Sequence, residues 1–394
     1  MKKEDTIENI IEFKESRAIP RLAVKKATKK TWDELVPIIT SRTPPSILWK
    51  KVESLKGINF SEAPPFLETN DGRKIQNLSE ICNNLAETFA NNSSDTNYDN
   101  RFRHFKTNSH PANNSSTINQ DVHNPINDQM TMTEVSHVLT NIGDTSPGPD
   151  KIPNAFIKQL PKEGLEYIIS IYNFIWKYQV FPDAWREAVV IPIPKPGKNL
   201  TKAINYRPIS LTCNPCKIME KIISSRIRWY LEKENILSQK QYGFRQNRST
   251  LDHLVNLQTE ACNAIAQGGH LVMVSMDLEK AYEMVLTDRI IDLLEGMNIH
   301  GNCLEFIKNF LRKRVMRVRI NDTQSEKVST ENGIPQGSVL SVLLFLIAIN
   351  DVTKCIDYPV KASLFADDLT LSCYGKTIKT TTETIQRSLD NLQE

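Results

Sequence analysis

Apolar and polar positions are most sharply patterned in two stretches. In Ser363-Leu364-Phe365-Ala366-Asp367-Asp368-Leu369-Thr370-Leu371, apolar residues lead in, two aspartates sit side by side, and an apolar/polar alternation leads out. That pattern predicts a β-hairpin with the acidic pair at its tip. His270 to Leu278 is an apolar strand that meets an aspartate, Asp277, near its end. Ala188 to Pro194 reads as a strand carrying prolines, which belongs on a sheet edge or a flap. A further hairpin is predicted from Val315–Ile320 and Lys327–Thr330. Helical periodicity marks much of the rest: from Thr133, then 153–160, 164–178, 217–234, 250–267, near 289–297, 304–312, 338–351 and 380–392. Helices alternating with antiparallel hairpins give an α+β domain rather than a doubly wound one.

The pattern also divides the chain. Residues 1–90 read as a helical basic segment, with Lys14, Arg17, Arg21, Lys25, Lys26, Lys29 and Lys30 close together. A solvated helix face and a nucleic-acid contact both account for that cluster. Residues 91–128 carry Asn/Ser clusters with no hydrophobic period and read as a disordered linker. Residues 129–394 form the main domain.

Composition narrows the class. The 394 residues, 40% of them hydrophobic, support a sizeable core, and a net charge of +3 leaves nucleic-acid binding to local basic clusters. The densest is Lys308, Arg312, Lys313, Arg314, Arg317 and Arg319, for which a solvated face is the alternative to phosphate contact. Seven scattered cysteines suit a reducing compartment, not a disulfide framework. Cys213 and Cys216 form a CxxC pair without a second pair at zinc-ribbon spacing; they read as small residues opening a helix. No secretory signal and no stretch of about 20 apolar residues is present, so an intracellular protein, nuclear and cytoplasmic, is expected.

Three carboxylates from two strand ends carry the chemistry. Taken alone, Asp367-Asp368 is equally an ordinary Asp-rich turn. Together with Asp277, the pair could hold two magnesium ions, the arrangement that phosphoryl transfer uses.

Six strings then occur in one order: Ser146-Pro147-Gly148-Pro149-Asp150, Tyr206-Arg207-Pro208-Ile209-Ser210-Leu211, Gln241-Tyr242-Gly243-Phe244-Arg245, Asp277-Leu278-Glu279-Lys280-Ala281-Tyr282, Gly333 to Ser341, and Phe365-Ala366-Asp367-Asp368. This series resembles the reverse transcriptase of non-LTR (LINE-type, jockey-like) retrotransposons, with a signature core at about 178–394. The resemblance implies a right-hand polymerase with fingers and an antiparallel palm sheet with packed helices. It implies an RNA-directed DNA polymerase of a mobile element, extending a DNA primer with deoxynucleoside triphosphates on an RNA template. Asp277, Asp367 and Asp368 would be the catalytic acids and the ligands of two Mg2+, with Mn2+ as a substitute. Asp368 ranks below the other two, because neighbours in a strand point to opposite faces. Tyr282 would be the aromatic gate excluding a 2′-hydroxyl, or else a core aromatic. Gln336 and Gly337 would lie near the incoming nucleotide, with Lys195 and Arg207 as triphosphate clamps; a solvated Lys195, with Lys198 serving instead, is the alternative, and Arg207 is the stronger candidate. Arg312, Lys313, Arg314, Arg317 and Arg319 would face nucleic acid.

Two positions depart from the family pattern: Glu283 stands where Asp is usual, and Val342 where Pro is usual. The chain is expected to stop at Glu394 before a thumb, with no endonuclease or RNase H constellation. A degenerate, non-catalytic RNA-binding remnant of the same fold is the alternative reading, and a different palm enzyme, such as an RNA-templated RNA polymerase, is another. Oligomeric state is not legible.

Overall fold

The computed structural model describes residues 66–69, 71–108 and 124–393, with isolated positions 26, 29, 30, 33 and 64. The chain divides into two compact units, residues 1–63 and 64–394, and every element below belongs to the second. Most of the segment 1–90, including Trp32, Trp49 and all but three of its clustered lysines, lies outside the described residues.

In chain order the main elements are α1 (Leu78–Asn92), α2 (Asn100–Asn108), α3 (Met132–Asn141), α4 (Lys162–Tyr178), β1 (Glu187–Pro194), β2 (Tyr206–Leu211), α5 (Asn214–Lys233), α6 (Thr250–Ala266) and β3 (His270–Asp277). There follow α7 (Thr287–Gly296), α8 (Gly301–Leu311), β4 (Val315–Ile320), α9 (Val339–Ile349), β5 (Lys361–Phe365), β6 (Asp368–Gly375) and α10 (Ile378–Gln393). The α+β expectation holds: mixed helices and sheets, with antiparallel hairpins prominent.

Local chemistry fixes the helix starts. Thr131 and Glu134 form a capping box at α3, and Ser249 and Asp252 form another at α6. Glu134 also receives two guanidinium hydrogen bonds from Arg226 of α5, at 2.7 and 2.9 Å, which ties the two helices together. α9 is apolar all round and accordingly buried, with Leu340, Leu343, Leu344 and Phe345 in the main core. Its N-terminus is capped by a buried carboxylate. Glu220 of α5 accepts from the Ser338 hydroxyl and from the backbone N–H groups of Val339 (2.9 Å) and Leu340 (3.1 Å). Negative charge suits that end of a helix.

β1 lies between β2 and β4. Of β1, only Glu187–Val190 pairs with β4, so Pro192 and Pro194 fall where β1 and β2 run on as a two-stranded ribbon. There their missing N–H groups cost no ladder bond, which fits the flap expectation for this end of the strand, while Glu187–Val190 is interior to the sheet and not at an edge. The second sheet runs β3-β6-β5, antiparallel throughout. Val272, Val274, Met276, Leu369, Leu371 and Cys373 share one face with Ala362 and Leu364 and pack with Ile385 of α10.

The 91–128 linker reading differs from the structure over its first part. Ser93 is buried, residues 95–97 form a helical turn, and α2 follows. A low hydrophobic period misleads here because the segment is held by polar contacts to residues far along the chain. α1, expected in a separate N-terminal segment, carries Cys82, whose thiol donates to the Thr323 carbonyl beyond β4. Among the described residues no helix is long and apolar enough to cross a membrane.

Candidate active site

β6 pairs with β3 in the register Asp368↔Asp277, Thr370↔Ser275, Ser372↔Met273. The two aspartates therefore stand opposite each other on one face, with Cβ atoms about 5 Å apart by the geometry of such pairs. Asp367 is not a strand residue. It occupies the two-residue turn Ala366–Asp367 between β5 and β6, where Ala366 has a left-handed backbone (φ 57°). Strand alternation, the reason for ranking Asp368 lowest, does not operate across a turn. The pairing makes Asp368 the direct partner of Asp277.

Gln241-Tyr242-Gly243 braces this tip. The Gln241 side-chain oxygen accepts from the N–H groups of Ala366 (3.2 Å) and Gly243 (2.7 Å). Tyr242 N–H donates to the Leu364 carbonyl, and Leu364 N–H to the Lys240 carbonyl, both at 2.8 Å. Any Cβ at Gly243 would lie 2.2 Å from the Ala366 nitrogen, so only glycine allows the approach. Buried His253 stacks on Phe365, the residue before the turn, with ring centroids 5.9 Å apart. These bracing roles escape sequence reading because the partners lie more than a hundred positions apart; the glycine within the string was the available signal.

Burial raises the Asp368 carboxyl above the usual carboxylate range, and the charges of Asp367 and Asp277 push it further, against a smaller opposing effect of His253. Three carboxylates that repel one another are oxygen donors of the kind magnesium takes, so the donor chemistry fits a hard divalent cation. Among the described residues, no three His, Cys, Asp or Glu side chains are drawn together into a finished ligand set.

Tyr282 is half-buried, stacked on Phe345 with centroids 5.0 Å apart and planes 15° from parallel. Burial, then the charge of Asp367, pushes its hydroxyl up to about 12. Its carbonyl accepts from Ile334 N–H (2.9 Å), and the Val285 carbonyl from Gly333 N–H (2.9 Å). The next turn, Gln336-Gly337, lies against β2. Ser210 N–H donates to the Gln336 carbonyl (2.7 Å), and a Cβ on Gly337 (φ 108°) would stand 2.5 Å from the Ser210 carbonyl oxygen. Glu283, the departure from the family pattern, accepts from the Gln336 side-chain amide at 2.9 Å. Its carboxyl is raised by burial, against the nearby charges of Lys195 and Lys280. Val342, the other departure, continues α9 without interruption.

Lys195 donates to the Ile204 carbonyl at 3.0 Å, and Arg207 is exposed on β2 opposite Ile193. The basic run does not act as one surface. Arg312 and Lys313 are exposed, and Arg319 is half-exposed on β4. Arg317 pairs with Glu187 at 3.0 Å, and Lys308 pairs with Glu305 and Glu295. Arg314 corrects the expectation of a phosphate contact. It is 6% exposed, donates to the Phe310 carbonyl (3.1 Å) and lies over the Phe310 ring. Strand alternation turns Met316, Val318 and Ile320 inward and Arg317 and Arg319 outward, a distinction that counting charges cannot see. Cys213 and Cys216 are buried at the start of α5, their thiols pushed up by burial, as small packing residues.

The family model for reverse transcriptase (RNA-dependent DNA polymerase) matches residues 193–394, just over half of the chain, and the chain belongs to that family. It is 33% identical over 232 residues to the probable RNA-directed DNA polymerase from transposon BS of Drosophila melanogaster, covering 57% of this chain and 26% of that protein. To the RNA-directed DNA polymerase from mobile element jockey of the same fly it is 28% identical over 273 residues, 67% of this chain and 30% of the relative. To the probable RNA-directed DNA polymerase from transposon X-element it is 29% identical over 222 residues, 56% and 24% respectively. The chain thus spans less than a third of the length of these relatives. The non-LTR resemblance is borne out by them. Among solved structures, apo telomerase from Candida tropicalis truncated from its C-terminal domain matches at a TM-score of 0.38 and 13% identity, over 58% of this chain and 52% of that one. That likeness is too remote to bear on the fold.

Proposed function

We propose that this chain carries the fingers and palm of an RNA-directed DNA polymerase of a non-LTR mobile element. In this reading the β3-β6-β5 sheet is the palm, and the sheet of β2, β1 and β4 belongs to the fingers. The observation that carries it is the register that sets Asp368 against Asp277 with Asp367 at the adjoining turn. Asp277, Asp367 and Asp368 would hold two magnesium ions. When bound, these supply charge that lowers the pKa of the primer 3′-hydroxyl and offsets the charge of the triphosphate and leaving pyrophosphate. The protein's own part is positional. The braced hairpin fixes where the carboxylates stand. Tyr282, backed by Phe345, presents an aromatic wall that excludes a 2′-hydroxyl by shape. Gln336 and Gly337 form the turn that lies against Ser210 of β2, and in this reading they stand near the incoming nucleotide. Arg207 and Lys195 reach the triphosphate from the β1–β2 ribbon, Arg207 being the stronger as a fixed planar donor. Arg312 and Lys313 remain available to template or primer phosphates.

Sugar choice on an RNA template tests the reading against an RNA polymerase of similar architecture. Deoxynucleotides should be incorporated in strong preference to ribonucleotides, and Tyr282→Ala should relax that preference more than it slows DNA synthesis. Equal use of both sugars by the wild-type chain would overturn the assignment.

A further inference from the structure

The segment 93–106 makes a connected set of polar contacts to the two loops that frame the proposed nucleotide pocket. The Tyr98 hydroxyl donates to the Met284 carbonyl at 2.7 Å, two residues beyond Tyr282. Asn332, immediately before Gly333, is 4% exposed and gives three hydrogen bonds. Its N–H (3.1 Å) and its side-chain amide (2.8 Å) reach the Ser93 carbonyl, and the same amide reaches the Asp95 carboxylate (2.7 Å). Lys106 closes the set, donating to the Asn332 side-chain oxygen at 2.9 Å and pairing with Asp95. Glu331 accepts from Asp95 N–H (2.8 Å) and the Ser94 hydroxyl (3.1 Å). Burial, with Asp95 nearby, raises the Tyr98 hydroxyl to about 12, so it stays a donor across the physiological range.

The geometry points to a clasp: residues 93–106 hold the Tyr282–Val285 loop and the Gly333 loop in register, and through them set the fit of the incoming nucleotide. Tyr98 and Asn332 are positioning residues in this scheme, since neither touches the substrate. The two loops are already joined by the Ile334–Tyr282 and Gly333–Val285 hydrogen bonds, and a Cβ on Gly333 would meet the Glu283 and Tyr282 carbonyls at 2.5 and 2.7 Å. Little slack separates them, so a shift at Met284 or Asn332 passes to the ring of Tyr282. The inference rests on the polymerase reading for its functional half and on geometry alone for its structural half.

Tyr98→Phe removes one hydroxyl and no packing; Asn332→Ala removes the side-chain contacts. In the full chain, amide exchange across 282–285 and 333–334 should accelerate in both variants. In single-nucleotide addition on an RNA template, KM for the deoxynucleotide should rise about fivefold for Tyr98→Phe, the equivalent of one hydrogen bond, with kcat nearly unchanged. The ribonucleotide-to-deoxynucleotide ratio should rise with it. A lowered melting temperature with unchanged KM and sugar ratio would make these contacts merely structural and overturn the inference. Unchanged loop exchange would overturn it whether or not the chain polymerises. Tyr282→Ala serves as the control: if it leaves the sugar ratio alone, the gate reading fails, and loop exchange and KM still decide the clasp.

Discussion

Gly243→Ala is the smallest change that should dislodge the acidic hairpin. The added Cβ would stand 2.2 Å from the Ala366 nitrogen and 3.0 Å from the Ala366 Cα and the Phe365 carbonyl carbon. All three are backbone atoms, so no rotamer change relieves the clash. Ordinary contact begins at 3.4 Å, and the hairpin tip or the 241–243 segment must therefore move by about 1 Å. Overpacking of this kind costs about 1–3 kcal/mol, enough to lower the melting temperature by several degrees. The effect on rate should be larger. The displaced atoms adjoin Asp367, and a misplacement of about 1 Å at a reacting centre costs on the order of 100-fold. The assay pairs thermal unfolding with single-turnover addition of one deoxynucleotide to a primer on an RNA template. Gly143→Ala is the control: a Cβ there meets nothing within 4 Å, and both melting and rate should hold. Wild-type rate and melting in Gly243→Ala would refute the claim that this string braces the site.

Three further outcomes are expected. Asp368 has its folded pKa raised, so its contribution to stability is present below the unfolded value and is lost as pH rises through the folded one. At neutral pH without divalent cations, Asp368→Asn should therefore melt higher than wild type, with the difference vanishing at acid pH; equal melting at both would contradict the carboxylate repulsion. Arg312→Ala and Lys313→Ala should each lower the salt dependence of nucleic-acid binding by about one unit of log–log slope. Arg314→Ala should leave that slope alone and destabilise the fold, because its guanidinium is buried against Phe310; a slope change for Arg314→Ala would contradict its placement.

The hairpin and its partner strand were legible because apolar alternation and an acidic tip are local signals. The α+β class, the proline-bearing strand and the buried helix at 339–349 were legible on the same grounds. What escaped depends on contacts between distant residues. Gln241 reaches Ala366 across 125 positions, and Tyr98 reaches Met284 across 186. Neither separation leaves a trace in periodicity. The polar stretch after Asn92 looked like a linker because burial of apolar surface is the only ordering force that a hydrophobic pattern reports; here hydrogen bonds to Asn332 and Glu331 supply it. Arg314 was misplaced for the opposite reason, since a charge beside other charges gives no hint that it turns inward. The ranking of Asp368 below Asp367 rested on strand alternation, which does not extend into the turn that holds Asp367; the register sets Asp368 opposite Asp277.

In the proposed function Asp277, Asp367 and Asp368 together perform nucleotide transfer. Single-turnover addition of one deoxynucleotide, on an RNA template with magnesium present, tests it with the full chain and each aspartate changed in turn to asparagine. Addition is expected from the wild-type chain, with losses of orders of magnitude in Asp277→Asn, Asp367→Asn and Asp368→Asn, each variant remaining folded by its melting curve. Addition at the wild-type rate by any of the three would contradict it.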